Sequence, residues 1–195
     1  EFKSIKATAE EKIISDKIDI NFLIDETQKL FVQKINIFGN NITRESVIRN
    51  QLEIDEGDPY NEILNKKSEN NLRNLNFFKS IDTKIVDGKN EDSKIINITV
   101  EEKATGEISA GAGFGTAGGT IAFGVKENNY LGKGIGLSAN AVITEETIKG
   151  QFSVSNPNFQ NSDKRVFALV QSQESDQLKD FGYKTNKTGF TLGTD

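Results

Sequence analysis

The side chains that most often perform catalysis are scarce in this chain. Its 195 residues include no Cys and no His, so it lacks a thiolate nucleophile and the commonest general base and metal ligand. Carboxylates and hydroxyls are present, but they form no cluster along the sequence. The segment Leu131-Gly132-Lys133-Gly134 contains a Gly-Lys pair without the spacing or the following helix of a phosphate-binding loop. The sequence therefore predicts a protein that is not an enzyme and holds neither a metal nor a cofactor.

A glycine-rich stretch, residues 107–115, offers main-chain groups instead of reactive side chains. Apolar and small residues alternate along it, which predicts a β-strand with one apolar face and one nearly bare face. Glycine packs nothing and loses much backbone entropy on folding, so we expect this strand to be weakly held. At the edge of a sheet, its N–H and C=O groups could pair with an added strand. The residues concerned are Glu107, Ile108, Ser109, Ala110, Gly111, Ala112, Gly113, Phe114 and Gly115.

Charge and hydropathy narrow the range of partners. The chain has 24 basic and 29 acidic residues, a net charge of −5 and an isoelectric point near 5.0, which argues against nucleic acid. It contains no apolar run of about 18 residues, so the sequence predicts no transmembrane helix, and a membrane role would require strands. Because the chain has neither an initiator Met nor a signal peptide, we expect it to be an internal part of a longer precursor.

Residues 28–103 have the pattern of a complete small α+β domain. We expect a strand, two helices and two further strands, which would place two helices over a three-stranded sheet. Thr43 is the expected N-cap of the first helix, and Phe77 and Phe78 are expected core residues. The predicted elements are Phe31–Phe38, a helix after Thr43, a helix at about Asn61–Asn74, and strands Lys79–Val86 and Lys94–Glu102.

The first 27 residues carry two further strand patterns. The first is Phe2–Ala7 and the second is Lys17–Asp25, where apolar residues alternate with polar ones. A polar connection that includes Glu10–Lys12 is expected between them. Two strands alone are marginally stable in water, so residues 1–27 are interpreted as the end of a preceding domain.

Residues 104–195 are predicted to form a series of antiparallel hairpins. Each strand is about 9–11 residues long, a length that crosses a bilayer when the strand is tilted. The alternation of apolar with small or polar residues fits a membrane barrel, although a soluble sandwich would show the same alternation. The facing of the fifth strand is open, because Val166–Val170 is continuously apolar. The predicted strands are Glu107–Gly115, Thr120–Glu127, Ile135–Thr144, Thr147–Ser155, Arg165–Gln173 and the start of a sixth near Thr188.

Three short segments of the α+β domain resemble the POTRA domain, the polypeptide-transport-associated repeat. Phe38-Gly39-Asn40 follows the first strand, a turn at Gly57 separates the helices, and Leu75-Asn76-Phe77-Phe78 precedes the second strand. Residues 28–103 are thus similar to a complete POTRA domain, which would be the last of its series. Residues 1–27 are similar to the last two strands of a preceding POTRA repeat.

Four segments of the strand region resemble the start of the barrel in the BamA family of outer-membrane protein assembly factors. They are Gly113–Gly115, Asn129–Gly134, Ser155–Phe159 and Tyr183–Lys187. The resemblance implies a POTRA domain (β-α-α-β-β) followed by the first strands of a 16-stranded antiparallel membrane barrel. Residues 104–195 would supply five of those strands and part of a sixth. The barrel would lie in the bacterial outer membrane and the POTRA domains in the periplasm.

The same resemblance implies a function and the residues that perform it. The first barrel strand would meet the last at a weak seam, and residues 107–115 would template a strand of a nascent outer-membrane protein there. Ala104, Thr105 and Gly106 would form a hinge between the POTRA domain and the barrel. Glu56 and Gly57 resemble the place where the last POTRA domain meets a lipoprotein of the assembly machinery. Expected partners are nascent outer-membrane proteins, these lipoproteins and outer-membrane lipid.

Two alternatives share parts of this architecture. A related POTRA-barrel transporter for protein secretion or translocation would have both the POTRA domain and the barrel. A non-assembling barrel pore would share the barrel alone. The number of upstream POTRA repeats distinguishes an assembly factor from a secretion transporter, since five repeats would support the first and two repeats the second.

Overall fold

The computed structural model describes residues 5–14, 17–26, 29–115, 118–162 and 164–194. The chain divides into two compact units. The first comprises residues 1–40 and 51–101, and the second comprises residues 41–50 and 102–195. Among the described residues, no helix is both long enough and apolar enough to cross a bilayer.

Two antiparallel strands begin the first unit. β1 (Ile5–Ile14) pairs with β2 (Lys17–Glu26) in a continuous register. The expected polar connection at Glu10–Lys12 is wrong, because these residues lie inside β1 opposite Asp19–Asn21. A two-stranded ribbon such as β1–β2 tolerates polar side chains on both faces. The charged residues Glu10–Lys12 therefore did not end β1. Part of the predicted strand Phe2–Ala7 falls on residues 2–4, which lie outside the described residues. The origin of β1 and β2 in a preceding POTRA repeat stays a prediction.

A three-stranded sheet follows, with β3 (Phe31–Phe38), β4 (Phe78–Asp87) and β5 (Ser93–Glu102). Its order is β3-β5-β4, and β3 runs parallel to β5. Gly39 ends β3 with a φ of +86°, where a side chain is strained. A Cβ there would lie 2.0 Å from the Val100 carbonyl oxygen, so the close approach of these two main chains requires glycine.

Two helices separate β3 from β4. α1 (Glu45–Arg49) is short. α2 (Glu62–Asn74) is capped by Asn61, whose Oδ1 accepts hydrogen bonds from the N–H groups of Ile63 and Leu64. The expected Thr43 N-cap is wrong. The cap position is Arg44 and makes no side-chain cap bond, because the Thr43 hydroxyl accepts a hydrogen bond from Asn129, 86 residues away in the chain.

The described apolar core of the first unit lies between residues 32 and 100. The predicted core pair Phe77 and Phe78 is buried, with the two rings edge to face at 6.3 Å. Fully burying a large apolar side chain stabilises a fold by about 1.5–3 kcal/mol, so the eleven buried apolar residues described in this unit dominate its stability. The buried apolar residues are Val32, Ile35, Ile54, Tyr60, Leu72, Phe77, Phe78, Ile81, Ile96, Ile98 and Val100.

Six antiparallel strands form the sheet of the second unit, in sequential order along the chain. This order confirms the predicted series of hairpins. The last strand begins at Tyr183, earlier than expected, after a short helix, α3 (Leu178–Phe181). The strands are β6 (Gly106–Gly115), β7 (Gly118–Tyr130), β8 (Ile135–Thr144), β9 (Thr147–Asn156), β10 (Val166–Gln177) and β11 (Tyr183–Thr194).

The register gives this sheet one apolar and one polar face. Neighbouring positions along a strand point to opposite faces, so two adjacent cross-strand rows show the contrast. One row is Ile108, Val125, Ala139, Phe152, Val170 and Phe190, and the next is Ser109, Gly124, Asn140, Gln151, Gln171 and Gly189. The apolar row is largely exposed, with Phe190 at 71% of its free surface.

The open question of how β10 faces is answered by its neighbours. Ala168 and Val170 lie on the apolar face, opposite residues of β9 and β11. Phe167 lies on the polar face, where its ring covers Gly193. A Cβ at Gly193 would lie 2.3 Å from that ring, and the Arg165 guanidinium lies 5.5 Å from the ring centroid. The continuous apolar run therefore places apolar side chains on both faces of the sheet. On the polar face, one of them is an aromatic ring that covers a glycine.

Candidate functional site: the edge strand β6 and its base

β6 is an edge strand within the described residues, because its one neighbour there is β7. The pairing runs in one unbroken register from Gly106 opposite Glu127 to Gly115 opposite Gly118. All ten residues are exposed, including Ile108 at 87% and Phe114 at 96%. In an antiparallel strand, alternate residues direct their N–H and C=O groups away from the paired neighbour. β6 therefore presents a row of main-chain donors and acceptors along its outer edge.

Three of the four glycines of β6 have no close neighbour among the described residues, whereas a Cβ at Gly106 would lie 3.1 Å from Glu127 Oε2. A Cβ built at Gly111, Gly113 or Gly115 meets no described atom within 4 Å. Gly124 of β7 is different, since a Cβ there would lie 2.6 Å from the Ser109 hydroxyl oxygen. Gly111, Gly113 and Gly115 thus contribute no side-chain contacts to the edge strand, which weakens its pairing.

The base of β6 is tied to the end of β7. The Thr105 hydroxyl donates a hydrogen bond to Glu127 Oε1. The Thr105 carbonyl oxygen accepts from the main-chain N–H of Asn128 at 3.3 Å and from its Nδ2 at 3.1 Å. Of the predicted hinge residues Ala104, Thr105 and Gly106, the second is hydrogen-bonded to β7 and the third begins β6. A hinge at these residues stays a prediction.

The turn between β7 and β8 is built around Asn129, which is 5% exposed. Its main-chain N–H donates to Glu127 Oε1 at 2.7 Å, and its Oδ1 accepts from the N–H of Gly134 at 2.8 Å. Its Nδ2 donates to the Thr43 hydroxyl at 2.9 Å. One side chain therefore closes the turn on itself and joins it to residues 41–50, which belong to the same compact unit.

The segment before α1 binds the carboxylate of Glu102. The main-chain N–H groups of Asn41, Ile42 and Thr43 donate to that carboxylate at 2.9, 2.8 and 2.6 Å. Burial acts to raise the pKa of Glu102, but the hydrogen bonds from Thr43, Ile42 and Asn41 outweigh it, so the pKa lies below its ordinary value. The charged form of Glu102 thus stabilises this segment.

Main-chain contacts bring the same segment against the β7–β8 turn. The N–H of Arg44 donates to the Gly132 carbonyl oxygen at 2.9 Å. Gly132 has a φ of +69°, and a Cβ there would lie 1.9 Å from the Ile42 carbonyl oxygen. Conformation and close approach both require glycine at this position.

Sequence reasoning missed Thr43, Glu102, Glu127 and Asn129 as members of one hydrogen-bonded group. The motif at residues 129–134 and the position of Glu102 at a strand end were visible. Nothing local, however, indicates that the three segments meet, since the bond between Thr43 and Asn129 joins residues far apart in sequence.

The predicted partner site at Glu56 and Gly57 lies elsewhere, on the outer edge of β3. Glu56 Oε1 accepts a hydrogen bond from the N–H of Ile35 at 2.9 Å. The N–H of Gly57 donates to the Val32 carbonyl oxygen at 2.7 Å, and the N–H of Val32 donates to Asp58 at 2.9 Å. Gly57 has a φ of +99°. The turn therefore covers the beginning of this sheet edge, and its role in binding a partner stays a prediction.

Comparison with known proteins identifies the family of the α+β domain. Residues 30–103 match the POTRA family, described as surface antigen variable number repeat. The outer membrane protein assembly factor BamA of Nitratidesulfovibrio vulgaris is 26% identical over 167 residues, covering 83% of this chain and 21% of the relative. BamA of Buchnera aphidicola is 33% identical over 148 residues, covering 73% of this chain and 23% of the relative. The chain thus spans about a fifth of the length of the curated relatives it matches.

Solved structures show the same fold. BamA from Haemophilus ducreyi lacking POTRA domains 1–3 superposes with a TM-score of 0.78 at 23% identity, covering 97% of this chain and 37% of that one. CdiB from Acinetobacter baumannii superposes with a TM-score of 0.57 at 15% identity, covering 90% of this chain and 34% of that one.

Proposed function

Since residues 30–103 are a POTRA domain and the chain resembles BamA proteins over most of its length, we propose that it is part of an outer-membrane protein assembly factor. Its six-stranded sheet lies in the bacterial outer membrane and its POTRA domain lies in the periplasm. It folds and inserts nascent outer-membrane proteins, and β6 templates their strands. This role requires main-chain pairing and no catalytic residue, so the protein is not an enzyme.

The observation that carries this proposal is the open edge of a sheet whose apolar face is uncovered. The exposed apolar row is suited to lipid, and the small and polar row is suited to a barrel interior. In lipid, each unpaired main-chain group costs several kcal/mol, so the outer edge of β6 must be paired there. Either the last strand of the same barrel or a strand of a client supplies the partner. The glycines of β6 keep the first pairing weak enough for a client to compete.

The direction of the chain orients the sheet. β6 follows the POTRA domain directly, so it begins at the periplasmic side and ends outside. The turns at residues 131–134 and 157–162 are then periplasmic, and those near Gly118 and Glu145–Glu146 face outward. The hydrogen bond between Arg44, inside the POTRA match, and Gly132, in the β7–β8 turn, supports this orientation.

The POTRA sheet offers a second edge for nascent strands. The order β3-β5-β4 leaves β4 at an edge, and the turn at Glu56–Asp58 occupies the start of the β3 edge. We therefore assign strand addition to β4. The Glu56–Gly57 turn is assigned to a lipoprotein of the assembly machinery, and outer-membrane lipid contacts the apolar face of the six strands.

A secretion transporter is the second candidate, because the fold likeness extends to CdiB. It would use the same POTRA domain and strands to pass a polypeptide through the barrel. The count of POTRA repeats in the longer protein separates the two functions, with five expected for an assembly factor and two for a secretion transporter. A barrel pore that does not assemble other proteins is disfavoured, because such a function would not account for the POTRA domain.

Site-specific photocrosslinking in cells tests the proposal. A photoreactive amino acid replaces Ser109 of β6 in the full-length protein, and a matched control carries it at Ser153, on the same face of the interior strand β9. Replacement of Ala112 tests the opposite face of β6. Crosslinks to a stalled outer-membrane client from β6 and none from Ser153 support templating at this edge. Crosslinks from β6 only to the protein's own last strand, with clients trapped elsewhere, would overturn it.

A further inference from the structure

The pairing of β6 with β7 has little to fix its register in the middle of the strand. Ala110 and Ala112 occupy successive positions on one face, and Gly111 and Gly113 occupy successive positions on the other. A displacement by two residues puts alanine on alanine and glycine on glycine, and it keeps every side chain on its own face. Register is weakly specified in strands of this composition, so another part of the strand has to supply it.

The base of β6 supplies such a fixed point. Glu127 is opposite Gly106, and its Oε1 accepts hydrogen bonds from the Thr105 hydroxyl and from the N–H of Asn129. A displacement of β6 by two residues would move Thr105 about 7 Å along β7, at 3.3–3.4 Å per residue. The carboxylate would lose the hydroxyl that reaches it in the native register.

Glu127 is itself held in place from the POTRA side of the same compact unit. Asn129 donates to Thr43, and the Thr43 hydroxyl donates to the Glu102 carboxylate. Glu127 lies at an apolar-face position, two residues after Val125, where an unpaired carboxylate is unfavourable beside lipid. Its hydrogen bonds satisfy the carboxylate and direct it toward Thr105.

We infer that Glu127 is a positioning residue that sets the register of β6 on β7, and that Asn129 and Thr43 hold it in the orientation required. The inference deepens the proposed function and rests on it for its consequence. A client strand that pairs with the outer edge of β6 inherits the register fixed at the base. The outer end of β6, rich in glycine, is then free to separate while the base stays aligned.

Cysteine pairs in the full-length protein measure the register directly. Ala110→Cys is combined with Phe123→Cys, its native partner, or with Ile121→Cys or Val125→Cys, the partners after a displacement by two residues in either direction. All three β7 positions are exposed on the same face. Direct cross-strand neighbours are within reach of a disulfide and diagonal ones are not, so the native pair should oxidise roughly tenfold more completely.

Removal of the carboxylate should change this ratio. Glu127→Ala is expected to raise the yield of a displaced pair by about threefold or more, because the middle of β6 tolerates the displacement. Thr105→Val, which leaves the bond between Glu127 and Asn129 in place, should act in the same direction and serves if Glu127→Ala does not accumulate. Glu127→Gln keeps an acceptor oxygen and should restore the native pair. Lys126→Gln, next to Glu127 on the other face of β7, should change nothing.

The outcomes separate this inference from the proposed function. Unchanged disulfide yields in both Glu127→Ala and Thr105→Val would overturn the register role, whatever happens to clients. A second outcome is a higher yield of the displaced cysteine pairs in these variants, together with a client crosslink from Ser109 that moves by two residues along the client. This outcome would support both the register role and templating by β6. Displaced disulfides with no client crosslink from Ser109 in any variant would support the register role and overturn templating by β6.

Discussion

The three-stranded POTRA sheet and the six-stranded sheet carry similar alternation of apolar residues, but they use it differently. Ile96 of β5 is 2% exposed, whereas Phe152 of β9 is 47% exposed, although both lie on the apolar face of an interior strand. No large apolar side chain is buried within the described part of residues 106–194. The alternation determines which face of a sheet is apolar. Whether protein or lipid covers that face depends on the surroundings of the sheet.

This difference separates two sources of stability. The POTRA sheet is held by burial of side chains, so its stability depends on particular apolar residues. The six-stranded sheet is held by main-chain pairing and, at the base of β6, by a few polar contacts. Substitutions should therefore have large effects in the first region when they remove volume, and in the second when they alter backbone freedom or a hydrogen bond.

The largest expected effect belongs to the POTRA core. Phe77→Ala removes a buried ring and should lower the free energy of unfolding of this domain by about 3–5 kcal/mol. Urea unfolding of the full-length protein, followed by hydrogen exchange at α2, measures the change. The control is Ile63→Ala in α2, at a residue that is 78% exposed. This substitution should change the free energy of unfolding by no more than about 0.5 kcal/mol. Equal effects of the two substitutions would contradict the view that burial of side chains is the source of stability in this domain.

An intermediate effect is expected at Glu102 and depends on pH. Because the pKa of this carboxyl is lowered in the folded protein, its contribution is present above the unfolded pKa and is lost as the pH falls through the folded value. At neutral pH, Glu102→Gln should weaken protection of the Thr43 amide from hydrogen exchange by about 1 kcal/mol. The parent and the variant should converge once the pH has fallen below the lowered pKa of the folded Glu102 carboxyl. A difference that persists at low pH would show that charge on Glu102 does not hold the segment.

The smallest expected effect per residue belongs to the edge strand. Gly111→Ala and Gly113→Ala meet no described neighbour and have no positive φ, so each should stabilise β6 by about 0.4–1 kcal/mol through reduced freedom of the unfolded strand. The pair should slow client assembly by about two- to tenfold, because closure then competes better with the client. Gly150→Ala in the interior strand β9 is the matched control, since it also meets no described neighbour. Faster assembly in the double variant would contradict a weak edge as the working feature.

The sequence predicted much of the architecture because local patterns determine it. The alternation in β6 to β9, the helix from Asn61 and the core pair Phe77 and Phe78 all follow from spacing within a few residues. The facing of β10 could not be predicted, because it depends on which neighbouring positions on β9 and β11 are apolar. The Thr43 N-cap failed for a related reason, since a distant amide occupies the hydroxyl.

The candidate site divides in the same way. Residues 107–115 were recognisable as a glycine-rich strand, because glycine content and alternation are local properties, and the structure places that strand at the edge of the described sheet. The hydrogen-bonded group at the base of β6 was not recognisable, because it joins three segments whose meeting is a result of folding. The close fit of Gly132 against Ile42 likewise cannot be distinguished in sequence from an ordinary glycine turn.

Two left-handed glycines at opposite ends of the sheet have a practical consequence for labelling. Gly132 and Gly182 have nearly the same φ, +69° and +71°. A Cβ at Gly182 would meet no described atom within 4 Å, whereas a Cβ at Gly132 would lie 1.9 Å from the Ile42 carbonyl oxygen. An epitope or fluorophore inserted after Gly182 extends into open space beside the exposed ring of Phe181. The same insertion after Gly132 would push apart the two segments that fix the base of the edge strand. Reporters therefore belong in the β10–β11 hairpin, where a bulky group meets no described neighbour, and not in the β7–β8 turn.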